Sequence, residues 1–67
     1  MPTYGLLTQA HELRRVVSTL AQQCSYRLST LESTSTAALA IREQRARLRV
    51  ALREIEKVIS ALEEAAA

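Results

Sequence analysis

Ser29-Thr30-Leu31-Glu32-Ser33-Thr34-Ser35-Thr36 is the stretch that decides the fold, and all but two of its residues are Ser or Thr. Short hydroxyl side chains compete for backbone hydrogen bonds, so they favour turns and caps over helix interiors. The run predicts the turn of an antiparallel two-helix hairpin at about residues 32–36, with any of Ser33 to Thr36 able to cap the helix that follows. The spacing also permits another fold. Leu31 and Ala38 are one heptad apart with Thr34 between them. A continuous helix on the order of 80–90 Å long, at 1.5 Å per residue, would keep one unbroken seam and dimerise as a coiled coil. No glycine in the run marks a helix end, so the long helix is kept as the alternative to the hairpin read here.

Upstream of the turn, a helix is expected from about residue 4 to 31. Leu6, Ala10, Leu13, Val17, Leu20 and Cys24 alternate at spacings of four and three, the pattern of a helix packed lengthwise on another. Leu7, Ala21 and Leu28 widen this stripe on one side and Val16 on the other, and Arg27 falls where the next seam residue would stand. Pro2, Thr3 and Gly5 suit an irregular start, with Thr3 or Thr8 as candidate caps.

Downstream, a second helix is expected over about residues 37–63. Its seam is Ala38, Ile41, Arg45, Leu48, Leu52, Ile55, Ile59 and Leu62, with Arg45 the only charged member. Glu63 and Glu64 oppose the helix dipole at that end, so Ala65 to Ala67 are expected to fray. Together the two stretches make one all-α domain over residues 1–67, with Leu13, Val17, Leu20, Cys24, Leu48, Leu52, Ile55 and Ile59 as its core seam.

Composition agrees with helix and narrows function. The chain has one Gly and one Pro, both within the first five residues, and its apolar share of 48% is too high for a disordered chain. A core of 67 residues rarely supplies more than about 3–5 kcal/mol unaided. One cysteine rules out an intrachain disulfide, and one histidine rules out a zinc site of ordinary stoichiometry. Docking on a partner or self-association is the remaining source of stability. The first ten residues lack the charged start and apolar run of a signal peptide, and the longest apolar run, Ala37 to Ile41, is far short of a bilayer span. With a lone thiol, these features give a cytoplasmic expectation and no membrane.

No residue set points to catalysis, a cofactor or a metal. Cys24 reads as a core residue and His11, beside Glu12, as a solvated one, and no nucleophile–base set or paired carboxylates can be assembled. Arg42, Arg45, Arg47, Arg49 and Arg53 cluster within twelve residues. Glu43 can pair with Arg47 and Glu56 with Arg53, which leaves Arg42, Arg45 and Arg49 without an acid at helical spacing. A nucleic-acid interface would need a recognised motif or an aromatic platform, and the net charge is only +2, with Tyr4 and Tyr26 on the other helix. That reading ranks third. Val16, Val50 and Val58 lie off the seams, so the closed hairpin is expected to retain a second apolar surface for a partner.

Arg47-Leu48-Arg49-Val50-Ala51-Leu52-Arg53-Glu54-Ile55-Glu56-Lys57-Val58-Ile59, together with the plan of helix, short polar turn and helix, resembles the small E-type co-chaperones of bacterial type III secretion, the YscE/PscE/SsaE-like group. The likeness covers nearly the whole chain in architecture and this segment in residues. It implies a cytoplasmic, non-enzymatic co-chaperone that pairs with a larger helical-repeat chaperone and keeps the needle subunit monomeric before export. By position, the resemblance makes Val16, Arg49, Val50, Arg53 and Val58 the partner-binding residues. A structural coiled-coil module that dimerises or serves as an adaptor is the alternative, and a homodimer is possible under either reading.

Overall fold

The computed structural model describes residues 2–66, with side chains from Gly5 onward. Two helices, α1 (Pro2–Ser29) and α2 (Thr36–Ala66), pack on each other along their length, and no strand occurs among the described residues. Helices of 28 and 31 residues are about 42 and 46 Å long at 1.5 Å per residue. The molecule's longest dimension is 48 Å, so the chain doubles back at the hydroxyl-rich run and the single long helix is excluded.

Hydroxyl chemistry explains how the chain turns without glycine. At the end of α1, Ser29 Oγ donates to the Tyr26 carbonyl at 2.6 Å and Thr30 Oγ1 to the Arg27 carbonyl at 2.8 Å. The Thr30 amide donates to the same Arg27 carbonyl at 3.1 Å, and the Leu31 amide to that of Leu28 at 3.4 Å. Carbonyls that a helix end leaves orphaned are thus met locally, and no described residue adopts a positive φ. Of the four candidate caps, Ser35 is the one used. Its Oγ accepts from the Ala38 amide at 3.0 Å, while its carbonyl accepts the first helical bond from Leu39 at 3.1 Å. Arg42 ties the first turns of α2 to the connection by donating to the Ser33 carbonyl at 2.8 Å.

The helix bounds differ from the expected ones at each end. α1 begins at Pro2, whose fixed φ suits a first helical position, so Thr3 and Thr8 fall within the helix bounds rather than ahead of them. It stops at Ser29, where the hydroxyl contacts take over. At the other end, alanine's helix propensity carries α2 past Glu63 and Glu64 to Ala66, and Ala67 lies outside the described residues.

The α2 seam is as read from the sequence: Ala38 and Ile59 are buried, and Ile41, Arg45, Leu48, Leu52, Ile55 and Leu62 are half-buried against α1. The α1 seam is corrected. Val17 and Ala10 are buried and Cys24 half-buried, but Leu6, Leu13 and Leu20 remain 51%, 52% and 43% exposed. The seam runs instead through Leu7, Ala10, Val17, Ala21, Cys24, Leu28 and Leu31. Leu13 and Leu20 therefore drop out of the core. Each row carries one arginine in phase, Arg27 in the first and Arg14 in the second, and packing through the second leaves both exposed while Leu28 and Leu31 are half-buried next to the turn.

Candidate docking surface

With the seam fixed, every other position of each helix falls on one of two flanks or on the back. The α1 seam residues Ala10, Val17 and Cys24 are heptad d positions and Leu7, Ala21 and Leu28 are a, with exposed Arg14 the charged member of that a row; on α2, Ala38, Arg45, Leu52 and Ile59 are a, and Ile41, Leu48 and Ile55 are d. Leu20 and Cys24 of α1 border a groove with Ile41, Gln44 and Leu48 of α2. Arg14 and Ser18 border the opposite groove with Leu52 and Glu56. In an antiparallel pair the g positions thus share one flank and the e positions the other.

These two flanks differ in chemistry. On the e flank, α2 contributes Arg42, Arg49, Glu56 and Glu63, all charged, facing His11, Ser18 and Ser25 of α1. His11, expected as a solvated residue, is half-buried here. On the g flank, α2 contributes Ala37, Gln44, Ala51, Val58 and Ala65, all uncharged. They face Leu6, Leu13 and Leu20, with Val16 one position further out. Arg27, close to the turn, is the one charged g residue among the described positions. An uncharged strip with half-exposed leucines at seven-residue spacing is a surface that water solvates poorly and a helix can cover.

The five expected partner-binding residues do not form one surface. Val16 and Val58, 48% and 52% exposed, lie on the apolar flank. Arg49 belongs to the charged flank, and Val50 and Arg53 lie on the back of α2 at heptad positions f and b. Exposed Tyr26 is also at an outward position, while the side chain of Tyr4 lies outside the described residues. Leu6, Leu13 and Leu20 are the residues that sequence reasoning missed, because it assigned them to the core. The available signal was the second row, Leu7, Ala21 and Leu28, beside them.

Several arginines are engaged within the chain. Arg45 Nη1 donates across the hairpin to Ser25 Oγ at 3.1 Å, which gives the seam's one charge on α2 a polar partner. Arg42 is bonded to the turn, and Arg47 pairs with Glu43 at 2.8 Å as expected. Arg53 and Glu56 form no ion pair, whereas Lys57 and Glu54 do, at 3.1 Å, and Arg15 and Glu12 pair at 2.7 Å. All three pairs are well exposed, so each contributes only a few tenths of a kcal/mol. Cys24 borders the groove beside Leu20. Among the described residues, no group of three or more His, Cys, Asp or Glu lies close enough together to hold a metal ion, and no helix is long and apolar enough to cross a membrane. No family model, curated protein or solved structure matches the chain.

Proposed function

We propose that the chain is a non-enzymatic helical docking module that buries its g flank against helices of a protein partner. The observation that carries this reading is the asymmetry of the two flanks: Leu6, Leu13 and Leu20 with Ala51 and Val58 on one, charged residues on the other. A thin core supports it too, since among the described residues only Ala10, Val17, Ala38 and Ile59 are buried. A partner that covers the leucines supplies stability that the hairpin lacks.

In its specific form, the module is a co-chaperone of bacterial type III secretion. With a larger helical-repeat chaperone, it keeps the needle subunit monomeric before export. The hairpin plan and the resemblance of residues 47–59 support this setting, and a helical-repeat protein offers the apolar groove that a flank of leucines fits. Arg42 and Arg45 are held by Ser33 and Ser25, which leaves no long basic stripe to favour nucleic acid.

Capture of the tagged chain from its native host, followed by mass spectrometry, tests the proposal. Recovery of a helical-repeat protein with a small filament subunit is expected. Both should be lost with Leu13→Glu and retained with Val50→Ala. Recovery of the bait alone would overturn the docking reading, and capture that survives Leu13→Glu would move the surface elsewhere.

A further inference from the structure

We propose that, in the absence of another partner, the g flank is closed by a second copy of this chain, giving an antiparallel four-helix bundle with two-fold symmetry. The inference rests on the reading of this flank as the working surface and names its occupant.

Self-complementarity is the first argument. A two-fold interface requires that residue i meet j while j meets i. Leu6, Leu13 and Leu20 are evenly spaced, so two α1 helices laid antiparallel with Leu13 on the dyad place Leu6 of each copy against Leu20 of the other. Leu20 and Leu48 border one groove. Moving seven residues along each helix, in opposite directions, sets Leu13 level with Ile55. A dyad at that level also sets Ala51 of α2 against Val58 of the second copy, and Gln44 against Ala65, within about one residue's 1.5 Å rise. A single axis thus satisfies both helices, and it pairs a small side chain with a larger one on α2.

Charge selects the orientation. With Leu13 on the dyad, Arg27 projects past the start of the opposing α1 and stays in water. With the two-fold axis parallel to the helices instead, each α1 would lie against the partner's α2, and Arg27 would be held over the apolar strip near Gln44 of the second copy, where a charge is poorly solvated. The charged e flanks face outward in the antiparallel bundle.

Area is the third argument. The molecule's two longest extents, 48 Å and 14 Å, bound a lengthwise face at roughly 670 Å² before side chains widen it. A stable specific interface buries about 800 Å² per partner. A hairpin buried along its full length therefore comes within reach of that area, which one half its length would not.

Sedimentation equilibrium of the purified full chain, from micromolar to millimolar concentration, tests this directly. A mass of twice 7.4 kDa is expected, reverting to 7.4 kDa with Leu13→Glu while far-UV circular dichroism stays helical. Helicity should survive because Leu13 is half-exposed in the single hairpin. Oxidation in a Cys24→Ser background fixes the orientation: Leu13→Cys should crosslink to itself, and Leu6→Cys only to Leu20→Cys. A 7.4 kDa mass at every concentration, or a dimer indifferent to Leu13→Glu, would overturn the proposal. Self-crosslinking of Leu6→Cys as fast as Leu13→Cys would overturn the antiparallel bundle. A monomer whose capture of another protein still depends on Leu13 would overturn the homodimer alone and leave the docking reading standing.

Discussion

Val16 and Val17 are neighbours of identical chemistry that the seam separates, at 48% and 8% exposed, and replacing each by alanine measures what the seam is worth. Either substitution removes two methyl groups, which are worth about 1.6 kcal/mol when fully buried, at ~0.8 kcal/mol each. Val17 realises nearly all of that, and the cavity left between the helices adds up to about 1 kcal/mol. Val16 realises about half and leaves no cavity. Both variants gain roughly 0.6 kcal/mol from alanine's higher helix propensity, a benefit that cancels in the comparison. The net expectation is a loss of about 1–2 kcal/mol for Val17→Ala and a change near zero for Val16→Ala. In a chain this short, about 1 kcal/mol moves the melting temperature by roughly 4–8 °C, so the two variants should melt about 5–10 °C apart. Thermal unfolding followed by far-UV circular dichroism suffices. It is run at the lowest workable concentration, because Val16 borders the flank assigned to a second copy. Equal destabilisation by the two variants would refute the seam, since no helix phase that buries both neighbours leaves Leu7 and Leu28 packed.

Two further substitutions probe the turn and the seam. Ser35→Ala removes the cap on the Ala38 amide and should cost about 1 kcal/mol, with the loss of helicity concentrated at the start of α2; hydrogen exchange unchanged at residues 36–39 would show that another hydroxyl does the capping. Arg45→Leu exchanges a partly buried charge for a side chain that fits the seam, so it should leave the melting temperature unchanged or raise it, and a fall of several degrees would mean that the bond to Ser25 holds the helices in register.

The second helix was legible in the sequence because it carries a single apolar row. Ala38, Ile41, Leu48, Leu52, Ile55, Ile59 and Leu62 admit one phase, and the hairpin follows the phase read from them. The first helix carries two overlapping rows. Both include Ala10, Val17 and Cys24, and they differ in taking Leu6, Leu13 and Leu20 or Leu7, Ala21 and Leu28. Summed hydrophobicity favours the first row, yet the hairpin packs through the second, and with one arginine in each row nothing within α1 alone separates them. The end of α1 was legible only in part for a related reason. Helix stops are usually marked by glycine, whereas here Ser29 and Thr30 satisfy the last carbonyls through their own hydroxyls. The partner-binding residues divide between the apolar flank, the charged flank and the back of α2 because they were placed by position along the chain, before the helix phases were known.

Choosing the second row has an energetic consequence. The seam is lined at close range by Ala10, Ala21 and Ala38, which let the helices approach but bury little apolar surface. Three leucines are kept about half out of it. Full burial of a leucine is worth about 1.5–3 kcal/mol, so the exposed halves of Leu6, Leu13 and Leu20 together hold roughly 3 kcal/mol that folding alone does not realise. A single core of this size yields on the order of 3–5 kcal/mol, so the two quantities are comparable. Covering the g flank would thus nearly double the stabilisation available to the hairpin, and its folding becomes linked to occupancy of that flank. A hairpin packed through the first row would bury those three leucines within the protomer and leave Leu7, Ala21 and Leu28 on its flank instead, a strip with one leucine fewer. On α1 the seam takes Ala10 and Ala21 among its members and leaves Leu6, Leu13 and Leu20 half-exposed, and that choice is what gives the g flank its apolar surface.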